Sequence, residues 1–165
     1  MDEKIIDRLR KISIFQRFKE DRSALDIISG VVKLCNFKSG DFIIKEGDQG
    51  DVMFILNDGR VSIEKKTLHN DSYTVVKLTG EMNVFFGELA LMDDDVRSAS
   101  VIAESDCECL CIKKEEFDLM GDKHPEIGLY ITREIAKILA GRLRNSSRDS
   151  IILLGALVSE IEGVV

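Results

Sequence analysis

The chain of 165 residues has a single proline, two histidines and no apolar run longer than the eight residues Ile151 to Val158. Each scarcity excludes something. One proline beside twelve glycines argues against collagenous and proline-rich disordered sequence. A membrane-spanning helix needs about 20 apolar residues, so no span is expected. Two scattered histidines, His69 and His124, are too few for a histidine-based metal site. The N-terminus MDEKIIDRLRKISIF has no apolar h-region and no small-residue cleavage site. A cytoplasmic, reducing location is therefore expected, where structural disulfides are rare. Net charge is −7, from 30 acidic and 23 basic residues, which argues against blanket binding to nucleic acid or to an anionic membrane. What is present, 44% hydrophobic and 32% charged residues, suits one ordinary globular domain.

Three stretches differ in period. Residues 2–36 read as helical, with Ile5, Ile6, Leu9 and Ile12 and then Leu25, Ile28, Val31 and Val32 recurring at three to four, and with Asp21 or Ser23 as a cap. Residues 37–113 switch to short apolar runs between glycines. These are Phe42 to Ile44, Val52 to Leu56, the alternating Arg60 to Glu64, Tyr73 to Leu78, Ser98 to Ala103 and Cys107 to Lys113, with a hairpin tip at Asn70-Asp71-Ser72. The fold expected is mainly β, a barrel or double-sheet jelly roll with flanking helices. Residues 114–165 return to helix: a short one near Glu115 to Met120, then a long one from Pro125 to about Asn145. The stripe Ile127, Ile131, Ile135, Ile138, Leu139 and Leu143 is too long for one face of a small barrel to cover completely, so a second copy is expected to cover the rest in a two-fold homodimer. The tail from Ile151 reads as a further helix at that interface.

Little asks for catalysis. Cys107, Cys109 and Cys111 alternate along a strand, which points all three into the core and suits metal binding poorly. Neither a serine–histidine–acid arrangement nor a Walker loop is visible, so no enzyme, metal or cofactor is expected. The informative segment is Phe85 to Val101, FFGELALMDDDVRSASV. Gly87 permits a backbone with positive φ, and Glu88 to Leu91 are good helix formers whose first amides can face an anion. Arg97 can meet a phosphate with two donors, leaving Glu88 to accept from a hydroxyl. A sugar phosphate site fits this set, and a solvated turn with an Arg–Glu ion pair fits it as well.

The segment resembles the phosphate-binding cassette of cyclic nucleotide-binding domains, as in the catabolite activator and the protein kinase A regulatory subunit. Phe86, Gly87, Glu88, Leu89, Ala90, Leu91, Arg97 and Ala99 match its pattern, and FKSGDFIIKEGDQGDVMFILNDGRVSI resembles the family's earlier strands. The likeness implies a helical segment over 1–36, a β-roll over 37–113 with its cassette at 86–100, and C-terminal helices over 114–165. It further implies that Arg97 binds the cyclic phosphate, Glu88 the ribose 2′-hydroxyl and the amides near Leu89 and Ala90 the phosphate oxygens. Ser98 would add a hydroxyl to the phosphate or serve a guanine amino group. Ser146 and Ser147 resemble an adenine-contacting pair and Arg142, one turn earlier, would cover the base; helix-end polarity describes these residues equally well. Val96 replaces the usual proline, the interval from Gly80 to Gly87 should bulge, and Asp93, Asp94 and Asp95 should face solvent. No room remains for a DNA-recognition helix, so DNA binding by this chain is not expected. The implied function is a sensor for cAMP in preference to cGMP, which moves its C-terminal helix and changes what a downstream protein partner meets. The alternative is a non-sensing dimeric module with an empty pocket.

Overall fold

The computed structural model describes residues 3–67 and 71–163. Two compact units divide between Ile131 and Thr132, and each is described by itself.

The first unit opens with α1 (Glu3–Leu9), a 3₁₀ turn (Ser13–Phe18) and α2 (Arg22–Ser29). Asp21 is the cap of α2, its carboxylate accepting from the Ala24 amide at 3.0 Å. Ile6, Leu9, Phe15, Leu25 and Ile28 form the buried faces of these turns. The helical period does not continue to residue 36. Gly30 closes α2, and Val32–Phe37 forms strand β1, antiparallel to β8 (Cys107–Lys113) with Cys35 opposite Cys109. The strand wins because Cys35 and Phe37 pack on the inner cluster while the ladder satisfies the backbone, although Val31 and Val32 happen to extend the helical spacing.

The remaining strands are β2 (Phe42–Ile44), β3 (Val52–Asp58), β4 (Arg60–Lys66), β5 (Ser72–Thr79), β6 (Phe85–Phe86) and β7 (Ser100–Ala103). They form two four-stranded antiparallel sheets, ordered β1-β8-β3-β6 and β2-β7-β4-β5, the expected jelly roll. The β4–β5 hairpin forms, with Lys66 opposite Ser72, while Asn70 and His69 lie outside the described residues. Ile44, Phe54, Leu56, Val61, Phe86 and Val101 fill the space between the sheets. Cys107, Cys109 and Cys111 join them, as their alternation requires. Burial pushes the Cys109 thiol up to about 12 and Cys111 higher still, so both are poor nucleophiles.

Two helices follow, α3 (Lys114–Lys123) and α4 (Pro125–Glu162). Their approach is close: a methyl on Gly128 would lie 2.7 Å from the Gly121 Cα. The 38 residues of α4 run without the break expected near Asn145, about 57 Å at the helical rise. The serines do not end it, because Ser147 and Ser150 donate to the carbonyls of Leu143 and Ser146, both at 2.9 Å, and so stay within the helical ladder. The long stripe is also divided. Ile127, Ile131 and Ile135 are buried within the single chain, whereas Leu143 is 68% exposed and Ile151 70% exposed. The stripe is thus buried at its start and bare toward its end, the part for which a second copy is expected.

Candidate functional site

The cassette is built where β6 ends. Gly87 has φ 72°, and a side chain there would meet Ile44 Cδ1 at 2.8 Å, so only glycine lets the chain turn at this point. The expected turn follows as a 3₁₀ helix over Glu88–Leu91. Phe86, the residue before Gly87, is buried and stacks on Phe54 with centroids 5.7 Å apart, which fixes the entry to the turn. Glu88 is 2% exposed. A solvated turn therefore does not describe this segment. The Ala90 amide is already engaged by the Gly87 carbonyl at 3.2 Å, while Leu89 is half-buried and Ala90 buried.

Arg97 reaches the same turn from the other end of the loop. Its backbone is tied at both poles, the Gly47 amide donating to its carbonyl and its own amide donating to the Asp48 carbonyl, each at 2.9 Å. The guanidinium donates from Nη1 to the Gly87 carbonyl at 3.2 Å and from Nη2 to the Val52 carbonyl at 2.7 Å, both part-buried bonds. Burial lowers its pKa, and the carboxylates of Asp51 and Glu88 work in the opposite direction. Thus the cation is held against neutral carbonyls beside two carboxylates. An incoming phosphate would replace weak neutral acceptors by a charged, two-point one.

The acidic loop lies as expected. Asp93, Asp94 and Asp95 are exposed, and Lys114 pairs with Asp94 at 2.9 Å while donating to the Asp93 carbonyl at 3.2 Å. A depression of about 290 Å³ lined by Gly50, Asp51, Asp93, Asp94 and Lys114 borders the loop, and its three carboxylates make it unsuited to a phosphate. The interval from Gly80 holds a 3₁₀ turn over Gly80–Met82 and Asn83 in the left-handed region, which takes up the extra residues before β6.

One loop thus carries Phe86, Gly87, Glu88, Leu89, Ala90 and Arg97, with exposed Ser98 and half-buried Ala99 next in the chain. Arg142, Ser146 and Ser147 belong to α4 beyond Thr132, where all three are exposed. Sequence reasoning missed the groups that seat Arg97. The most exacting is Gly50, where a methyl would stand 2.8 Å from the Arg97 Cζ. The available signal is Gly47-Asp48-Gln49-Gly50-Asp51, two glycines three apart, which by itself does not show that Gly50 meets Arg97.

The cyclic nucleotide-binding domain family matches residues 34–124 of the chain. The chain is 36% identical over 149 residues to cGMP-dependent protein kinase 2 of Homo sapiens, an alignment covering 90% of this chain and 18% of the kinase. It is 34% identical over 123 residues to cGMP-dependent protein kinase, isozyme 2 forms cD5/T2, of Drosophila melanogaster, covering 73% of this chain and 13% of that protein. The chain therefore spans less than a fifth of the length of these curated relatives. Among solved structures, the catabolite activator protein of Thermus thermophilus superposes with a TM-score of 0.71 at 25% identity, covering 80% of this chain and 59% of that one. The regulatory domain of Toxoplasma gondii PKA, crystallised with cAMP, shares the fold with a TM-score of 0.68 at 21% identity, covering 82% of this chain and 49% of that one.

Proposed function

This chain belongs to the cyclic nucleotide-binding domain family, and we propose that within it the chain is a sensor module with Arg97 and Glu88 as its principal ligand contacts. The observation that carries the reading is the Arg97 guanidinium seated on the Gly87 carbonyl beside the buried Glu88. Arg97 turns two N–H donors from carbonyls to the cyclic phosphate, a stronger pair of hydrogen bonds in a partly desolvated setting. Glu88, at the head of the 3₁₀ turn, accepts from the ribose 2′-hydroxyl. The Leu89 amide, in the first turn, completes the phosphate cradle, and the Ala90 amide joins it by releasing the Gly87 carbonyl.

Both purine nucleotides have support. The Arg97-Ser98 and Ser146-Ser147 pairs favour cAMP. The curated relatives are named as cGMP-dependent kinases, and the exposed Ser98 hydroxyl offers an acceptor to the guanine 2-amino group. We therefore give cGMP equal standing with cAMP. Binding shifts the population of α4 between two arrangements, a coupling of about 1–3 kcal/mol in such systems, and so changes what a downstream protein partner meets. The exposed Leu143, Ile151, Ile152, Leu154 and Ile161 support association of α4 with a second copy. The reading assigns no reaction to the chain and places it in the cytoplasm. No helix among the described residues is long and apolar enough to cross a membrane.

Parallel calorimetric titrations of cGMP and cAMP into the protein and into Ser98→Ala test the proposal. Saturable binding of either nucleotide supports it, and a selective loss of cGMP in Ser98→Ala assigns the base. No heat and no thermal shift from either nucleotide would refute it in favour of a non-sensing module.

A further inference from the structure

Arg8 is a buried cation that meets no carboxylate in its hydrogen bonds. It lies on α1, 9% exposed. Its Nη1 donates to Asn83 Oδ1 at 2.9 Å, and its Nη2 donates to the carbonyls of Leu56 and Gly80. Its Nε has no partner among the described residues. Burial lowers its pKa without an opposing carboxylate. A buried charge satisfied only by neutral acceptors loses much of its hydrogen-bond energy to desolvation, so the net stability it returns is small beside the three separate groups it ties together. The value of Arg8 therefore lies in what it holds.

What it holds is the approach to the cassette. Leu56 belongs to β3, and its amide donates to the Val84 carbonyl at 3.1 Å. Gly80 and Asn83 bracket the 3₁₀ turn that leads, four residues later, to Gly87 and Glu88. Strand β6, which joins that turn to the cassette, has only two residues, pairing Phe54 with Phe86 and Ile55 with Phe85. So short a ladder cannot set the position of Gly87 unaided. We propose that Arg8 is a positioning residue for nucleotide binding, clamping the turn before β6 to the end of β3 and so placing Gly87 and Glu88 for the ligand.

The inference rests on the reading that the cassette binds a cyclic nucleotide. Its test is calorimetric titration of cGMP and cAMP, with thermal unfolding, into the protein, Arg8→Met and Arg8→Lys. Arg8→Met, which leaves the Leu56 and Gly80 carbonyls and Asn83 Oδ1 without this donor, is expected to unfold at a lower temperature yet remain folded during the titration, and to bind about tenfold more weakly, the scale of one lost charge-assisted hydrogen bond. Arg8→Lys, which keeps one donor group, is expected to recover part of that loss, a rescue that simple space-filling would not give. A folded Arg8→Met with unaltered affinity would overturn the inference and leave the sensor reading intact. If the unaltered protein binds neither nucleotide, both fall together. Should Arg8→Met fail to fold, amide exchange in the unaltered protein decides. Saturating nucleotide is expected to slow exchange in α1 along with residues 80–86, by the reciprocity of linkage, and unchanged α1 amides would overturn the inference.

Discussion

The cassette loop and the distal half of α4 are held by opposite means. In the cassette every charged group of interest is over-determined: Arg97 is tied through both backbone poles and two guanidinium donors, and Glu88 is buried at the head of a turn that only glycine can open. Beyond Leu143 the helix has its own hydrogen bonds and little else. Ile151, Ile152, Leu153, Leu154 and Leu157 are each more than half exposed, a density of bare apolar surface that a lone helix in water does not favour. The lesson is that the cassette's geometry is set by contacts within its own unit, while the distal half of α4 leaves its apolar side chains bare.

That contrast can be broken at either end, and the largest effect belongs to the cassette. Arg97→Ala is expected to weaken cyclic nucleotide binding about 100-fold by calorimetry, the worth of a paired charge-assisted contact, with a modest fall in unfolding temperature because the part-buried Gly87 and Val52 carbonyls lose their donor. Gly50→Ala comes next. Its methyl would press on the Arg97 guanidinium, and a loss of about tenfold in affinity, with the β-roll spectrum by circular dichroism retained, is the expected result. At the other end, Ile151→Lys with Leu154→Lys is expected to abolish the proposed self-association in sedimentation while nucleotide affinity changes by no more than about twofold, since both side chains are exposed and neither belongs to the cassette. A large loss of affinity in that variant would mean the two regions are not separable.

The smallest effect is a control on the rest of the roll. The Lys38 ammonium, bonded to Asp106 Oδ2 at 2.7 Å, and the Ser39 amide at 3.1 Å hold the Asp106 carboxyl below its ordinary range. A carboxyl whose pKa is lower folded than unfolded adds stability above about pH 4 that is lost as pH falls through the folded value. Asp106→Asn should remove a shallow acid-side slope in urea midpoints and leave binding alone.

The cassette was open to reading because its chemistry is written in adjacent residues: Gly87, Glu88 and Arg97 announce a turn, an acceptor and a donor within one loop. The jelly roll was equally plain in the strand-length runs between glycines. Three features were hidden for physical reasons. Val31 and Val32 prolong the helical spacing by chance and mask the stop at Gly30, which pairing of the next residues with β8 makes plain. Ser146 and Ser147 look like a helix end, yet the hydroxyl of Ser147 bonds back one turn and the helix continues. Gly50 and Arg8 act through space, the Arg8 contacts to Leu56 and Asn83 spanning 48 and 75 residues of chain, and no local pattern encodes such a distance.

The central claim is that the Arg97 guanidinium leaves its carbonyls for a ligand phosphate. The most direct measurement is the side-chain Nε–Hε spectrum of ¹⁵N-labelled protein during titration with cGMP and with cAMP, the Arg97 signal being identified by its absence in Arg97→Lys. The expected result is a saturable shift of that signal with at least one nucleotide, to a position that reports a charged acceptor. Nucleotide binding that leaves the Arg97 signal in place would contradict the claim.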